Sequence, residues 1–310
     1  MHEPHGASGS EPEGDAGMHE PEGDGGVLSR DLGGKVAIVT GSSRGVGAAT
    51  AVALGAAGCK VVCAARATAE NPLRLPGTID ATVDAIRAAG GEALGVATNL
   101  ARADDIVAMV ARAVEHFGRV DVLVNNAAIT FVGGLDIAMK RYELIMAVNT
   151  TAPLIAMREV APHMAAVGGG SIVNVSSAAA LLPIEGMMAY GMSKLALEHL
   201  TLDAARELYP QGTNVNCFRI DVPVASEGFL ANAPGADHDT WEPCDVAAEG
   251  IVWMVRQPVS YTGRRESMHL LRVRESIMST RSRKASPHWP TTELFEGLYE
   301  STTDEHFVDG

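Results

Sequence analysis

Short apolar runs recur along the chain, separated by longer stretches in which apolar residues return at helical intervals. Lys35-Val-Ala-Ile-Val-Thr40, Lys60-Val-Val-Cys-Ala64, Ala93 to Ala97, Val120-Asp-Val-Leu-Val124, Ser171-Ile-Val-Asn-Val175 and Thr213 to Arg219 suit strands buried on both faces. Between them, Ala48 to Ala57, Thr78 to Ala89, Asp104 to Phe117, a segment from about Met139 and the stretch from Tyr190 to about Tyr209-Pro210 predict helices. Thr78 caps its helix and Gly90-Gly91 ends it. Pro243 opens another helix, to about Arg256, and Ser267 to Leu271 reads as a last strand. Strand and helix in alternation predict an α/β fold with a parallel sheet.

Residues 1–30 break this rhythm. They are rich in Gly, Glu, Pro and Asp, with Glu11 to Asp15 nearly repeated at Glu20 to Asp24, and cannot bury enough apolar surface to offset ordering. A disordered acidic tail is expected there, then an ordered domain over 31–273, then a polar extension over 274–310 that is basic at Arg281, Arg283 and Lys284. That extension has three open fates: packing on a flap, packing on another subunit, or staying loose.

A net charge of −14 argues against a nucleic-acid partner, which would need clustered Lys and Arg. No apolar run approaches the ~18 residues of a membrane span. Cys59, Cys63, Cys217 and Cys244 show no paired-ligand spacing, and no apolar signal segment precedes the fold, so a reduced, cytoplasmic setting is expected. Scattered histidines give no metal site, and the absence of a GxSxG elbow argues against a serine hydrolase.

The first strand runs into Thr40-Gly-Ser-Ser-Arg-Gly-Val-Gly47 and then a helix, the order that builds a phosphate cradle. Gly41, Ser43, Arg44, Gly45, Val46 and Gly47 are its candidate contacts. After the second strand, where a fold preferring NAD usually places a carboxylate, stands Arg66. With Arg44 it suits a 2′-phosphate, which favours NADP over NAD. Asn99 and Leu100, past the third strand, are placed to flank an adenine. Asn126, Ala127 and Ala128 follow the fourth strand, where small residues let backbone pass under a cofactor, while Asn125 ties neighbouring strands. Asn149 sits inside a helix that disfavours it unless its amide finds partners.

Ser177 lies at the carboxyl end of the fifth strand, the edge where open α/β sheets bind ligands. Tyr190 and Lys194, four apart on a helix, share one face, so an ammonium lies beside a phenol and favours its ionised form. The stretch from Ile220 to Asp239, with Pro223 and Pro234, reads as a mobile flap carrying one short helix at about Glu227 to Asn232.

Thr40-Gly41…Gly45…Gly47, Asn125-Asn126-Ala127, Asn149, Ser177, Tyr190 and Lys194 occur in an order and spacing that resembles the short-chain dehydrogenase/reductase family, over roughly residues 33 to 272. The resemblance implies a single Rossmann-type, doubly wound domain: a seven-stranded parallel sheet between two helical layers. It also implies hydride transfer between a nicotinamide and a small-molecule ketone or secondary alcohol. By the same carry-over Tyr190 is the general acid/base, Lys194 lowers its pKa and holds the nicotinamide ribose, Ser177 orients the substrate oxygen and Asn149 holds a relay water. Val222 joins the cofactor set. Homotetramers or homodimers, built on the helices carrying Asn149 and Tyr190, are implied too. Ala128 replaces the family's usual glycine, Asn99 its aspartate, and Ile220-Asp221 its Pro-Gly. Ile220-Asp221 and the acidic tail leave an alternative: a non-catalytic NADP-binding sensor or scaffold.

Overall fold

Fully buried β-branched and small residues make up the central strands. In Val36–Thr40 (β1), Val122–Asn125 (β4) and Ser171–Ser177 (β5) nearly every side chain is shielded from water, as a sheet covered on both faces requires. A computed structural model describes residues 30–284, so most of the expected acidic tail and residues 285–310 lie outside the described residues. With Lys60–Ala65 (β2), Glu92–Ala97 (β3), Asn214–Ile220 (β6) and Arg265–Ser267 (β7), these strands form one parallel sheet in the order β3-β2-β1-β4-β5-β6-β7.

Helices Gly45–Ala56 (α1), Ile79–Ala88 (α2) and Cys244–Val255 (α8) cover one face, with a core that includes Leu54, Ile86, Ile251 and Met254. Ala103–Phe117 (α3), Ala152–Ala166 (α5) and Met188–Leu208 (α6) cover the other, around Ile106, Met109, Val160, Met164 and Leu208. Each such buried aliphatic side chain contributes roughly 1.5–3 kcal/mol. Thr78 caps α2 by accepting from the Ala81 amide at 3.2 Å. Met139–Met146 (α4) continues into α5 through a π turn at Ala147–Thr151. Among the described residues no helix is long and apolar enough to cross a membrane.

The end of the sheet corrects the sequence reading. The strand expected at Ser267 to Leu271 stops at Ser267, and Met268–Glu275 is a helix (α9). The Ser267 hydroxyl accepts from the Leu270 amide at 3.1 Å, and the Asp221 carboxylate accepts from the His269 amide at 3.0 Å and from the Ser267 hydroxyl. Two acceptors on the first free amides start a helix where an apolar run alone suggested a strand. Between β6 and α8 the flap contains the short helix Glu227–Asn232 (α7), capped by Ser226.

Candidate active site

The strand order sets β1, β4, β5 and β6 side by side, so the segments leaving their carboxyl ends line one rim of the sheet. The glycine turn, Asn126 to Ala128, Ser177 and Val222 all emerge there.

The turn is packed too closely for larger residues. Gly41 holds φ at +71°, and a Cβ built on it would lie 2.8 Å from the Ala127 Cα. One built on Gly47 would lie 2.3 Å from the Asn126 amide nitrogen. Asn126 fastens the two loops: its side-chain amide donates to the Thr40 carbonyl at 2.9 Å, and the Asn126 and Ala127 backbone amides donate to the Thr40 hydroxyl at 3.1 and 3.2 Å. Arg44 precedes α1 without a side-chain cap, leaving the first-turn amides for an anion. Tight glycines and an uncapped helix end fit the diphosphate of a dinucleotide. The buried Ser43 and Val46 complete the turn.

Around the residues expected to meet an adenosine the arrangement is looser. Arg44 donates to the Gly77 carbonyl at 3.2 Å, and Arg66 is exposed at the end of β2. Leu100 is packed in the core, while the Asn99 side-chain oxygen accepts from the Ala101 amide at 3.1 Å, leaving its amide nitrogen as the group for a base. Ala128 is exposed and keeps a negative φ, so the methyl that replaces the family's usual hydrogen introduces no backbone strain.

Asn149 lies in the π turn, fully buried, and its amide has found partners. It accepts from the Ile129 amide at 2.9 Å and donates to the Ile129 carbonyl at 2.9 Å and the Ser193 hydroxyl at 3.0 Å. Both donor hydrogens are spent, which supports the chain just past β4 and ties it to α6.

The face α6 turns toward β5 is a polar stripe. Tyr190, Lys194, Glu198 and Thr201 follow one another at helical spacing, and each meets the strand. The Ser177 hydroxyl lies close enough to the half-buried Tyr190 hydroxyl to lower its pKa. Lys194 Nζ donates to the Val175 carbonyl at 2.7 Å, the Ser176 hydroxyl to Glu198 at 2.7 Å, and the Asn174 amide to the Thr201 hydroxyl at 3.0 Å. Asn125 reaches from β4 to Asn174 at 2.9 Å, a strand-to-strand tie. Glu198 also pairs with Arg219 of β6, both with fully buried side chains. Glu198, Thr201, Asn174 and Arg219 go unnoticed in the sequence reading. The signal was there: continuing the helical step from Tyr190 meets polar residues where an amphipathic helix would be apolar.

Burial pushes the Tyr190 hydroxyl above the ordinary phenol value, and the Ser177 hydroxyl pulls it partly back. The sequence expectation that Lys194 lowers the Tyr190 pKa is overturned, because burial outweighs any neighbouring charge. The Lys194 Nζ stands 5.7 Å from the Tyr190 ring centroid and is bonded to a carbonyl. Burial also draws the Lys194 ammonium down to about 8, against the opposing pull of Glu198.

Asp221 turns away from the rim to cap α9 and is 1% exposed, so its charge serves the fold. The departure that counted toward a non-catalytic binder thus has a structural explanation. Val222 packs half-buried against the core beside α8. The flap rests on the cradle: a Cβ at Gly45 would lie 3.1 Å from the Ser226 Cβ and 3.4 Å from a Glu227 carboxylate oxygen.

Comparison with known proteins agrees with this geometry. A family model described as short chain dehydrogenase matches residues 35–222. A 3-oxoacyl-[acyl-carrier-protein] reductase of Synechocystis is 36% identical over 198 residues, 64% of this chain and 74% of the relative. Dehydrogenase/reductase SDR family member 4 of Oryctolagus cuniculus is 38% identical over 62% of this chain and 72% of its own. The crystal structure of a short chain dehydrogenase from Burkholderia cenocepacia in complex with NADP superposes with a TM-score of 0.68 at 32% identity, covering 77% of this chain and 97% of that one.

Proposed function

Because the chain belongs to the short-chain dehydrogenase/reductase family, and is with it an oxidoreductase, we propose that it moves a hydride between NADP and a ketone or secondary alcohol, with Tyr190 as general acid/base. The observation that carries this reading is the meeting of Tyr190, Ser177 and Lys194 on the rim that also holds the glycine turn.

The bound nicotinamide supplies or accepts the hydride. As a carbonyl is reduced, negative charge grows on its oxygen. The Tyr190 hydroxyl gives that oxygen a proton and the Ser177 hydroxyl donates a hydrogen bond, both favouring the transition state over the ground state. A phenol held above its ordinary value keeps its proton at neutral pH, which suits donation. Alcohol oxidation needs the ionised phenol and therefore gains with rising pH.

Lys194 spends one donor on Val175 and keeps two for ribose hydroxyls. With the Asn149 side chain fully engaged, a relay water would rest on its main-chain carbonyl in the widened turn. Arg66 and Arg44 support NADP, with no carboxylate directly after β2 to favour NAD. Exposed Leu154, Met192 and Leu195 on α5 and α6 support assembly of identical chains through these helices.

The test is NADPH absorbance followed with a panel of ketones. Tyr190→Phe is expected to lower kcat by roughly 10²–10⁴-fold while NADPH still binds. Full turnover in that variant defeats the reading, and tight NADPH binding without turnover on any ketone returns the sensor. Reduction should also weaken above pH about 8, where Lys194 loses its proton, by roughly tenfold per unit. A pH–rate profile checks that limb.

A further inference from the structure

One buried ionic group lies directly behind the proposed catalytic residues and has no part in proton transfer itself. Glu198 and Arg219 are both fully buried, and the carboxylate is fully committed: one oxygen accepts from the Ser176 hydroxyl at 2.7 Å and Arg219 Nε at 2.8 Å, the other from the second guanidinium nitrogen. Burying a pair of charges is costly, and replacing such a pair with well-packed apolar residues is often neutral or stabilising. Stability alone therefore gives little reason for it.

Its place suggests another reason. Ser176 lies between Val175, whose carbonyl holds Lys194, and Ser177, whose hydroxyl meets Tyr190. Glu198 follows Lys194 by one helical turn, so their side chains are neighbours. Arg219 is the β6 residue before Ile220, which pairs in register with Ser177. Three elements, α6, β5 and β6, are thus joined by one carboxylate immediately behind the point where Tyr190, Ser177 and Lys194 converge.

We propose that Glu198, clamped by Arg219 and Ser176, is a positioning residue that holds Lys194 and Ser177 in register with Tyr190 for proton transfer. The inference rests on the oxidoreductase reading above. The groups bearing on Lys194 are few. Tyr190 and Glu198 lie on its own helix, and Cys217, kept protonated by burial, and Arg219 face it from β6. Asn149 and Thr150, from the α4–α5 side, carry no charge. Of these, Glu198 is the anion that favours the ammonium.

Two variants test the proposal alongside Tyr190→Phe. Glu198→Gln keeps the shape and removes the charge. The paired change Glu198→Leu with Arg219→Met replaces the clamp by apolar packing that should fold at least as well. Expected in both are native far-UV circular dichroism and a kcat lowered by roughly 10- to 100-fold with ketone KM within about threefold; in Glu198→Gln, which removes the anion and leaves Arg219, the alkaline limb also moves down by about one pH unit. Wild-type kcat in the folded paired variant overturns the proposal, since the clamp is then only structural. So does failure of both variants to fold. Loss of turnover in Tyr190→Phe together with an unaffected paired variant overturns the positioning role alone. Full turnover in Tyr190→Phe overturns the underlying reading.

Discussion

The seam between α6 and the sheet and the segment from the flap to Lys284 both carry many charges, but they hold them in opposite surroundings. In the seam, Lys194, Glu198 and Arg219 are closed off from water and meet fixed partners on β5 and β6. In the segment, Arg281 reaches Asp245 and Glu249 on α8, Arg283 reaches Asp239, and Lys284 reaches Asp237, all on side chains largely open to solvent. Exposed pairs contribute little and are screened by salt, whereas breaking a buried pair leaves an uncompensated charge. The seam is therefore held by pairs that water cannot reach, and the flap is tethered by pairs that solvent and salt can loosen.

Glu198→Ala should break that contrast most sharply. Removing the carboxylate strands Arg219 in the interior at a cost of about 3–5 kcal/mol, read from urea unfolding. A loss below about 1 kcal/mol would mean that the seam is no stiffer than the flap.

Asp221→Ala lies at the junction of the two regions. It strips α9 of a buried acceptor for the His269 amide and the Ser267 hydroxyl, and should cost about 1–3 kcal/mol. Hydrogen exchange should rise first in Met268–Glu275, and uniform exchange across the chain would argue against a local cap.

Arg281→Ala should be the mildest. Its half-exposed pairs predict a stability change of at most about 1 kcal/mol, yet limited proteolysis within 226–242 should quicken, and adding salt to the native protein should reproduce that change. The Arg281 and Ser282 amides still dock on the buried Glu242, at 2.8 and 3.1 Å, so the tether loosens without coming away.

The same division marks what could be read from residues alone. Apolar runs such as Val36–Thr40 and Lys60–Ala65 declare buried strands because nothing polar competes with them, and short helix Glu227–Asn232 announces itself through Ser226. Met268 to Leu271 misleads because its helix is fixed by an acceptor 48 residues away as well as by the adjacent Ser267, and no local pattern encodes the distant one. Tyr190 and Lys194 stand out through spacing, whereas Glu198 becomes meaningful only once β6 brings Arg219 against it. The shift of Tyr190 is likewise invisible in sequence, since it follows from burial and not from the neighbouring ammonium.

The widened turn at Ala147–Thr151 has one more consequence. A π turn holds one residue more than the α turn it interrupts. Excising a single residue there would let the whole rod from Met139 to Ala166 coil uniformly, but would swing its upstream half about the axis by ~100°. The Asn149 amide would then let go of Ile129, and the chain leaving β4 would lose its prop. Length changes between β4 and α5 can thus be absorbed in the loop at 130–138, while the surplus residue itself is indispensable.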